Sequence, residues 1–383
     1  MKNKSLLLLA LLPSLIGCNK QTPNPVGVVE ESADGKIVTV YDMQARKNVI
    51  KKEDIKRVVC LGAGALRYFT YVGDITKLVG IEQIEGQTFG IGNVLRPYYD
   101  ANKTFFQSVT EVTKGGPMDI GFSEEKLRKI LEVQPDIILS FYANQSVNDQ
   151  FQNVGGIPVI SLAQGSLGLY SEETKKSLII IGHIFNTVSK SDALIDYIDT
   201  SKNDFKDLTF TTEKYFAGCV GNWGSYKFTG SFNSYPVFNF AKVTNVVDSI
   251  PGLPKNTQVD VDIEKLIAAQ PDKIFLDTAG FNDFVNEYKE NPAKYSGLNA
   301  LTSGETYLLL PYNAYYTNLE IQLMSTYYVA SVAHPESFPD FDFEAKCNEI
   351  TTKFLGKNYY EEMKSHPYGF GGYQKINIAD YLD

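Results

Sequence analysis

Histidine is nearly missing from this sequence of 383 residues. The three present, His183, His334 and His366, lie far apart. There is no H-x-x-x-H pair and no His/Cys cluster, so a catalytic metal centre has no ligand set to rest on. The four cysteines, Cys18, Cys60, Cys219 and Cys347, are too scattered for a disulfide framework, and Cys60 and Cys219 sit in apolar runs that read as buried thiols. Arginine is scarce, with Arg46, Arg57, Arg67, Arg96 and Arg128 the full set, and Trp223 is the only tryptophan. Acidic side chains outnumber basic ones, 45 to 36, and the net charge of −9 argues against a nucleic-acid surface. After Ile16 no apolar run approaches the roughly 18 residues that a membrane-spanning helix needs.

Hydrophobic residues make up 43% and charged residues 21%, proportions of a globular protein. The opening "MKNKSLLLLALLPSLIGCNK" carries Lys2 and Lys4 and then an apolar stretch from Leu6 to Ile16, which reads as an export signal. Leu15-Ile16-Gly17-Cys18 resembles a bacterial lipobox, which would make residues 1–17 a removed signal and Cys18 a lipidated new terminus. An ordinary signal peptide with an incidental cysteine is the alternative. Residues 18–36 are polar and Pro-rich, the composition of a flexible tether. The remaining length suits about two domains of roughly 150 residues each.

Two segments share one design. "SEEKLRKILEVQPDIILS" and "DVDIEKLIAAQPDKIFLD" each read as an amphipathic helix, a Gln-Pro-Asp stop and a buried strand. Each half also opens with a strand, "KRVVCLG" and "KYFAGCVG". The expected organisation is an N-terminal αβ lobe over 37–170, a helical connection over 171–212, a C-terminal αβ lobe over 213–360 and an irregular Gly-rich tail over 361–383. Within the connection, "SKSDALIDYIDTSKNDFKDL" has the spacing of an amphipathic helix that bridges the lobes, with Ser189 or Ser191 able to cap it.

The stretch "RVVCLGAGALRYFTYVG" poses a functional choice. A strand, Gly62-x-Gly64 and a helix make up most of a dinucleotide fingerprint, and Glu82 falls near the acidic position. The third glycine, however, is Arg67. The loop therefore reads either as a tight turn allowed by two glycines or as a site where the guanidinium clamps an anion. A nucleotide-using enzyme on a Rossmann-like lobe is the remaining and weaker alternative.

The paired helix-Pro-Asp-strand units, together with "VTVYDMQARKNVIKKEDIKRVVCLG", "LVGIE" and "YYTNLEIQLMSTYYVASVAHPESF", resemble the substrate-binding lipoproteins of ABC importers for iron–siderophore, haem and cobalamin. The resemblance runs from about Val40 to Lys357. It implies two Rossmann-like α/β lobes joined by a single long helix, with a ligand cleft between them and no catalysis. It implies a monomer, lipid-anchored on the extracytoplasmic side (periplasmic if there is an outer membrane), that serves a permease and an ATPase. The ligand would be a metal chelate, iron–siderophore or haem, with a corrinoid as the alternative and no resident cofactor or metal. The carboxyl ends of the strands should face the cleft, which marks Tyr142, Asn222, Trp223, Tyr226, Tyr312, Asn313, Tyr315 and Tyr316 as ligand contacts. Arg67 and Arg96 are the candidates for binding an anionic chelate, each equally readable as a lobe-internal ion pair. In this family an exposed acidic residue on each lobe docks the permease. Glu264 matches in the second lobe. Arg128 stands at the equivalent place in the first, so Glu124 or Glu125 would substitute.

Overall fold

A computed structural model describes residues 23–87, 96–117, 119–221 and 227–382. The chain begins with a small antiparallel sheet, β1 (Val28–Glu31), β2 (Ile37–Tyr41) and β3 (Lys47–Lys51). In β2 and β3 alternate residues, Val38, Val40 and Ile50, turn inward, the period of two that a strand imposes. Part of the expected tether is thus structured: Val28–Glu31 pairs with β2 from Val28 opposite Tyr41 to Glu31 opposite Val38. That pairing supplies the order that the polar composition of the segment hid.

The first lobe is a parallel sheet of β4 (Val58–Leu61), β5 (Leu78–Glu82), β6 (Thr110–Thr113), β7 (Ile137–Ser140) and β8 (Val159–Ser161), in the order β6-β5-β4-β7-β8. Its central strands read as unbroken apolar runs because helices cover both faces. The second lobe holds β9 (Lys214–Gly218), β10 (Gly230–Asn233), β11 (Thr244–Asn245), β12 (Thr257–Asp260), β13 (Lys273–Asp277), β14 (Thr306–Leu309) and β15 (Gln374–Ile376). Five of these form a sheet ordered β11-β9-β13-β14-β15, parallel except for β15, and β10 pairs with β12. The tail is therefore not irregular. Gly371 and Gly372, both with φ above +80°, turn the chain so that β15 can close the sheet edge.

The repeated unit has a physical basis. Helix Glu124–Glu132 starts on Ser123, whose hydroxyl accepts from Lys126 N–H, and helix Ile263–Ala269 starts on Asp262, which accepts from Glu264 and Lys265 N–H. Gln134 and Gln270 then adopt left-handed backbone angles, and the prolines forbid continuation. The aspartates tie each unit to the first strand of its own lobe. Asp136 accepts from the N–H groups of Lys56 and Arg57 at 2.8 and 2.9 Å, and Asp272 from that of Lys214 at 2.7 Å.

Two helices connect the lobes, Glu172–Phe185 and Val188–Ser201, the second prolonged by a 3-10 turn, Lys202–Phe205. The bridging helix thus begins at Val188. Neither Ser189 nor Ser191 caps it, and Ser191 is buried inside its first turns, bonding Val188 C=O. One hydrophobic core runs through both lobes and takes in Val58, Tyr68 and Leu139 from the first with Tyr215, Phe275 and Leu309 from the second. Late segments pack back onto early ones. The ring of Phe354, in helix Phe343–Leu355, meets Tyr71 edge-on at 5.2 Å, and Tyr359 donates to Asp100.

Candidate functional site

Both sheets reverse strand order beside their first strand, at β4/β7 and at β9/β13, and ligands in open α/β sheets bind beyond the strand carboxyl ends at such switch points. In the first lobe this point is built by Gly62, Gly64, Phe141 and Tyr142. Gly62 and Gly64 have φ of +81° and +106°, and a Cβ on Gly64 would stand 3.0 Å from the Phe141 ring. The glycines thus serve a left-handed turn under close aromatic cover. Phe141 lies over the amino end of the following helix, Ala65–Val72, where a phosphate would have to approach. This cover removes the dinucleotide reading of the loop.

Arg67 spends its guanidinium on the protein. It is fully buried and donates to Tyr315 C=O at 3.1 Å, Ala314 C=O at 2.7 Å and Asn318 Oδ1 at 3.0 Å, with its guanidinium 4.6 Å from the centre of the Tyr98 ring. The expected anion clamp is instead a staple from the first lobe to the loop after β14. Arg96 is buried as well and donates to Gln87 C=O at 2.6 Å.

That loop, 311–318, is the most constrained part of the site. Asn313 and Thr317 bridge across it, Asn318 bonds Pro311 C=O and Tyr312 C=O, and Tyr315 and Tyr316 both have positive φ, +50° and +80°. Two consecutive bulky residues in the left-handed region store strain of about 1–2 kcal/mol each. Tyr316 is presented outward, 44% exposed, and meets Phe141 of the other lobe edge-on at 5.7 Å. Tyr312 goes the other way. It is buried against Tyr235 and Phe232 in the core of the second lobe, which corrects its assignment as a ligand contact. Asn313 keeps a buried side-chain oxygen without a hydrogen-bond partner among the described residues.

Tyr142 and Tyr315 converge on a residue that the sequence offered only as a ribose binder. Glu82, at the carboxyl end of β5, accepts from Tyr142 Oη at 2.9 Å and from Tyr315 Oη, with Thr113 Oγ1 at 3.4 Å. Burial pushes its carboxyl up to about 7, with the Tyr315, Gly62 and Tyr142 donors opposing and Glu85 adding to the rise. Asp277, at the carboxyl end of β13, is also raised to about 7 by burial, and accepts from Tyr312 N–H and Ala279 N–H, each at 2.8 Å. Glu85 and Glu320 are buried too, take hydrogen bonds from Tyr98 and Tyr71, and are raised by the same desolvation. A carboxylate closing an apolar strand, as in "LVGIE" and "KIFLD", was the available signal for Glu82 and Asp277.

Asn222, Trp223, Tyr226 and Cys18 lie outside the described residues. Glu124, Glu125 and Glu264 are exposed on the first turns of their helices. Each of these helices runs antiparallel to the strand it feeds, so its amino end lies on the strand-carboxyl side of its lobe. Glu125 is paired with Lys129 at 3.1 Å. Two shallow surface hollows of about 330 and 270 Å³ lie around Gly304 and Asn377 and around Thr244 and Asp248. None of the residues that meet at Glu82 or in the 311–318 loop lines them.

Comparison with solved structures decides the architecture. An ABC transporter solute binding protein from Sulfurospirillum deleyianum aligns over 87% of this chain and 99% of its own, with a TM-score of 0.63 at 15% identity. The chain has the fold of the periplasmic solute-binding proteins. The molybdate periplasmic binding protein MolA of Haemophilus influenzae matches over 84% of this chain and 98% of its own (TM-score 0.62, 17% identity), and the periplasmic heme binding protein HutB of Vibrio cholerae over 74% and 100% (TM-score 0.53, 11% identity). The sequence matches no protein-family model and no curated protein. In this solute-binding fold the meeting of the strand ends at Glu82, Phe141, Tyr315 and Tyr316 occupies the space between the lobes.

Proposed function

We propose that the chain is an extracytoplasmic solute-binding lipoprotein that captures a metal chelate, an iron–siderophore or haem, and passes it to the permease of an ABC importer. It binds and does not catalyse. The observation that carries this reading is the aromatic loop 311–318, held between the carboxyl ends of two parallel sheets, with an exposed Tyr316 ring packed on the edge of Phe141. Flat rings suit a large ligand with flat faces. The guanidinium of Arg67 is spent on the protein, which favours such a ligand over a small oxyanion. The Asn313 oxygen, without a partner among the described residues, adds one acceptor for a ligand donor. A corrinoid has the same broad, partly apolar shape and is the alternative.

Exposed Glu264, with Glu124 or Glu125 in the first lobe, would meet basic pockets of the permease. Glu264→Arg is expected to leave ligand affinity intact and to impair uptake in reconstituted vesicles. Cys18 would carry the anchor, and Cys18→Ala should move the chain to the soluble fraction.

The direct test is native mass spectrometry and absorbance of the purified full chain, followed by titration of the ligand-free protein with ferric siderophores, hemin and cobalamin. Trp223 is the sole tryptophan, so its emission reports on its own surroundings. Strong quenching with saturable binding is expected for one chelate class. Absence of any co-purified chelate, together with no binding of all three classes by calorimetry, would overturn the proposal.

A further inference from the structure

Tyr315 and Arg67 join the lobes at adjacent points, and the two contacts differ in kind. Arg67 grips the loop from the first lobe through main-chain and amide oxygens, those of Ala314, Tyr315 and Asn318. Tyr315 reaches from the tip of the same loop into the first lobe, donates to Glu82 and accepts from Gly116 N–H at 3.0 Å. Its backbone, like that of Tyr316, is held at positive φ. Arg67 fixes the backbone of the strained tip, and the Tyr315 ring reaches the first lobe only through its hydroxyl contacts with Glu82 and Gly116.

We infer that the Tyr315–Glu82 contact is a latch between the lobes, and that releasing it is coupled to loss of a proton from Glu82. The inference concerns closure of the cleft and does not depend on which solute occupies it.

Glu82 is enclosed by Tyr142, Tyr315, Thr113 and the glycine turn at Gly115, where a Cβ would lie 2.8 Å from its side chain. Glu85 is the charged neighbour that acts on it directly and also raises its proton affinity. Around that pair stand the Cys60 thiol from β4, Tyr98, and Arg67 and Arg96 beside Glu85. On the far side of Tyr142 are Asp119 and, 5.6 Å from the ring centre, Lys126. With the latch shut, Glu82 lies out of water and holds its proton up to about pH 7. When Tyr315 swings out, water reaches the carboxyl and its proton affinity returns towards that of an ordinary glutamate. A closed state that binds the proton more tightly is favoured as pH falls, and an open state as pH rises. Arg67 stays charged throughout, so its grip on the loop does not share this dependence.

The test is hydrogen–deuterium exchange of segment 311–318 in the full chain at pH 6 and pH 8, corrected for the intrinsic change in amide exchange. With a closed-state value near 7 and an open-state value near 4.5, opening should be about tenfold more populated at pH 8. Glu82→Gln, of nearly equal shape and without a titrating proton, should keep the segment protected and remove the pH dependence. Tyr315→Phe should lose protection at both pH values while helix Ala65–Val72 stays protected. Equal corrected exchange in the wild type at the two pH values overturns the coupling, a result that stands even if a variant fails to fold. Persistence of the pH dependence in folded Glu82→Gln would also overturn it, by moving the proton to another group.

Discussion

At the scale of the residue, position decides what a charge is for. Arg67 falls where a dinucleotide loop would place its third glycine, which made it a candidate anion clamp. Its three acceptors lie 247 to 251 positions further along the chain, a distance that no local pattern reveals. Removing it strands buried acceptors, takes away the cation that acts on Glu320 and leaves Glu85 with Arg96 alone. Arg67→Met is therefore expected to cost about 3–5 kcal/mol in urea unfolding. Arg67→Lys should recover only part, since one ammonium cannot span three fixed acceptors. A loss of less than about 1 kcal/mol for Arg67→Met would return the residue to the ligand side. Glu82 was visible as a residue but not in its role, because the two tyrosines that meet on it lie 60 and 233 positions away. Tyr312 was misplaced for a related reason. One turn of backbone sends Tyr312 into the core and Tyr316 to the cleft, and the sequence "PYNAYYTN" does not show which goes where.

Single elements were the most legible part of the chain. A helix, a proline and an apolar run announce themselves locally, and both repeated units form where the pattern placed them. The tail and the tether misled because their order is borrowed from partners, β15 from β14 and β1 from β2, and composition cannot report a partner. The aspartate of each Gln-Pro-Asp stop carries a measurable share of its lobe. Asp136 receives two backbone N–H groups and Asp272 one. Asp136→Ala should cost about 1.5 kcal/mol and Asp272→Ala about 1 kcal/mol by chemical denaturation. The two sites lie in different lobes, so the double variant should show the sum. Marked non-additivity would mean that the stops communicate through the interlobe core.

For the whole molecule, buried acids set the response to pH. Glu82 and Asp277 are each raised to about 7 by burial, while in the unfolded chain both titrate near 4. The folded state therefore binds more protons between these limits. The stability contributed by this pair is full below about pH 4 and is lost as pH rises through about 7. Paired surface acids such as Glu31 and Asp199 act in the opposite direction, but only as pH falls below the ordinary carboxylate range. Between pH 5.5 and pH 8 the buried pair prevails. The melting temperature should be higher at pH 5.5, and Glu82→Gln should flatten part of the difference. A melting temperature that climbs steadily with pH across that window would contradict the assignment. The core shared by both lobes has a further consequence, for the order of events when the chain is made. The face of helix Ala65–Val72 that Tyr71 presents is covered by Phe354, and Asp100 waits for Tyr359. A chain synthesised from its amino end cannot finish its first lobe until Phe354 and Tyr359 have emerged. Truncation after Asp342 should leave a species that binds a hydrophobic dye and lacks near-ultraviolet dichroism. In such a fold late segments are the ones that let early ones settle, so order along the chain runs against the order of synthesis.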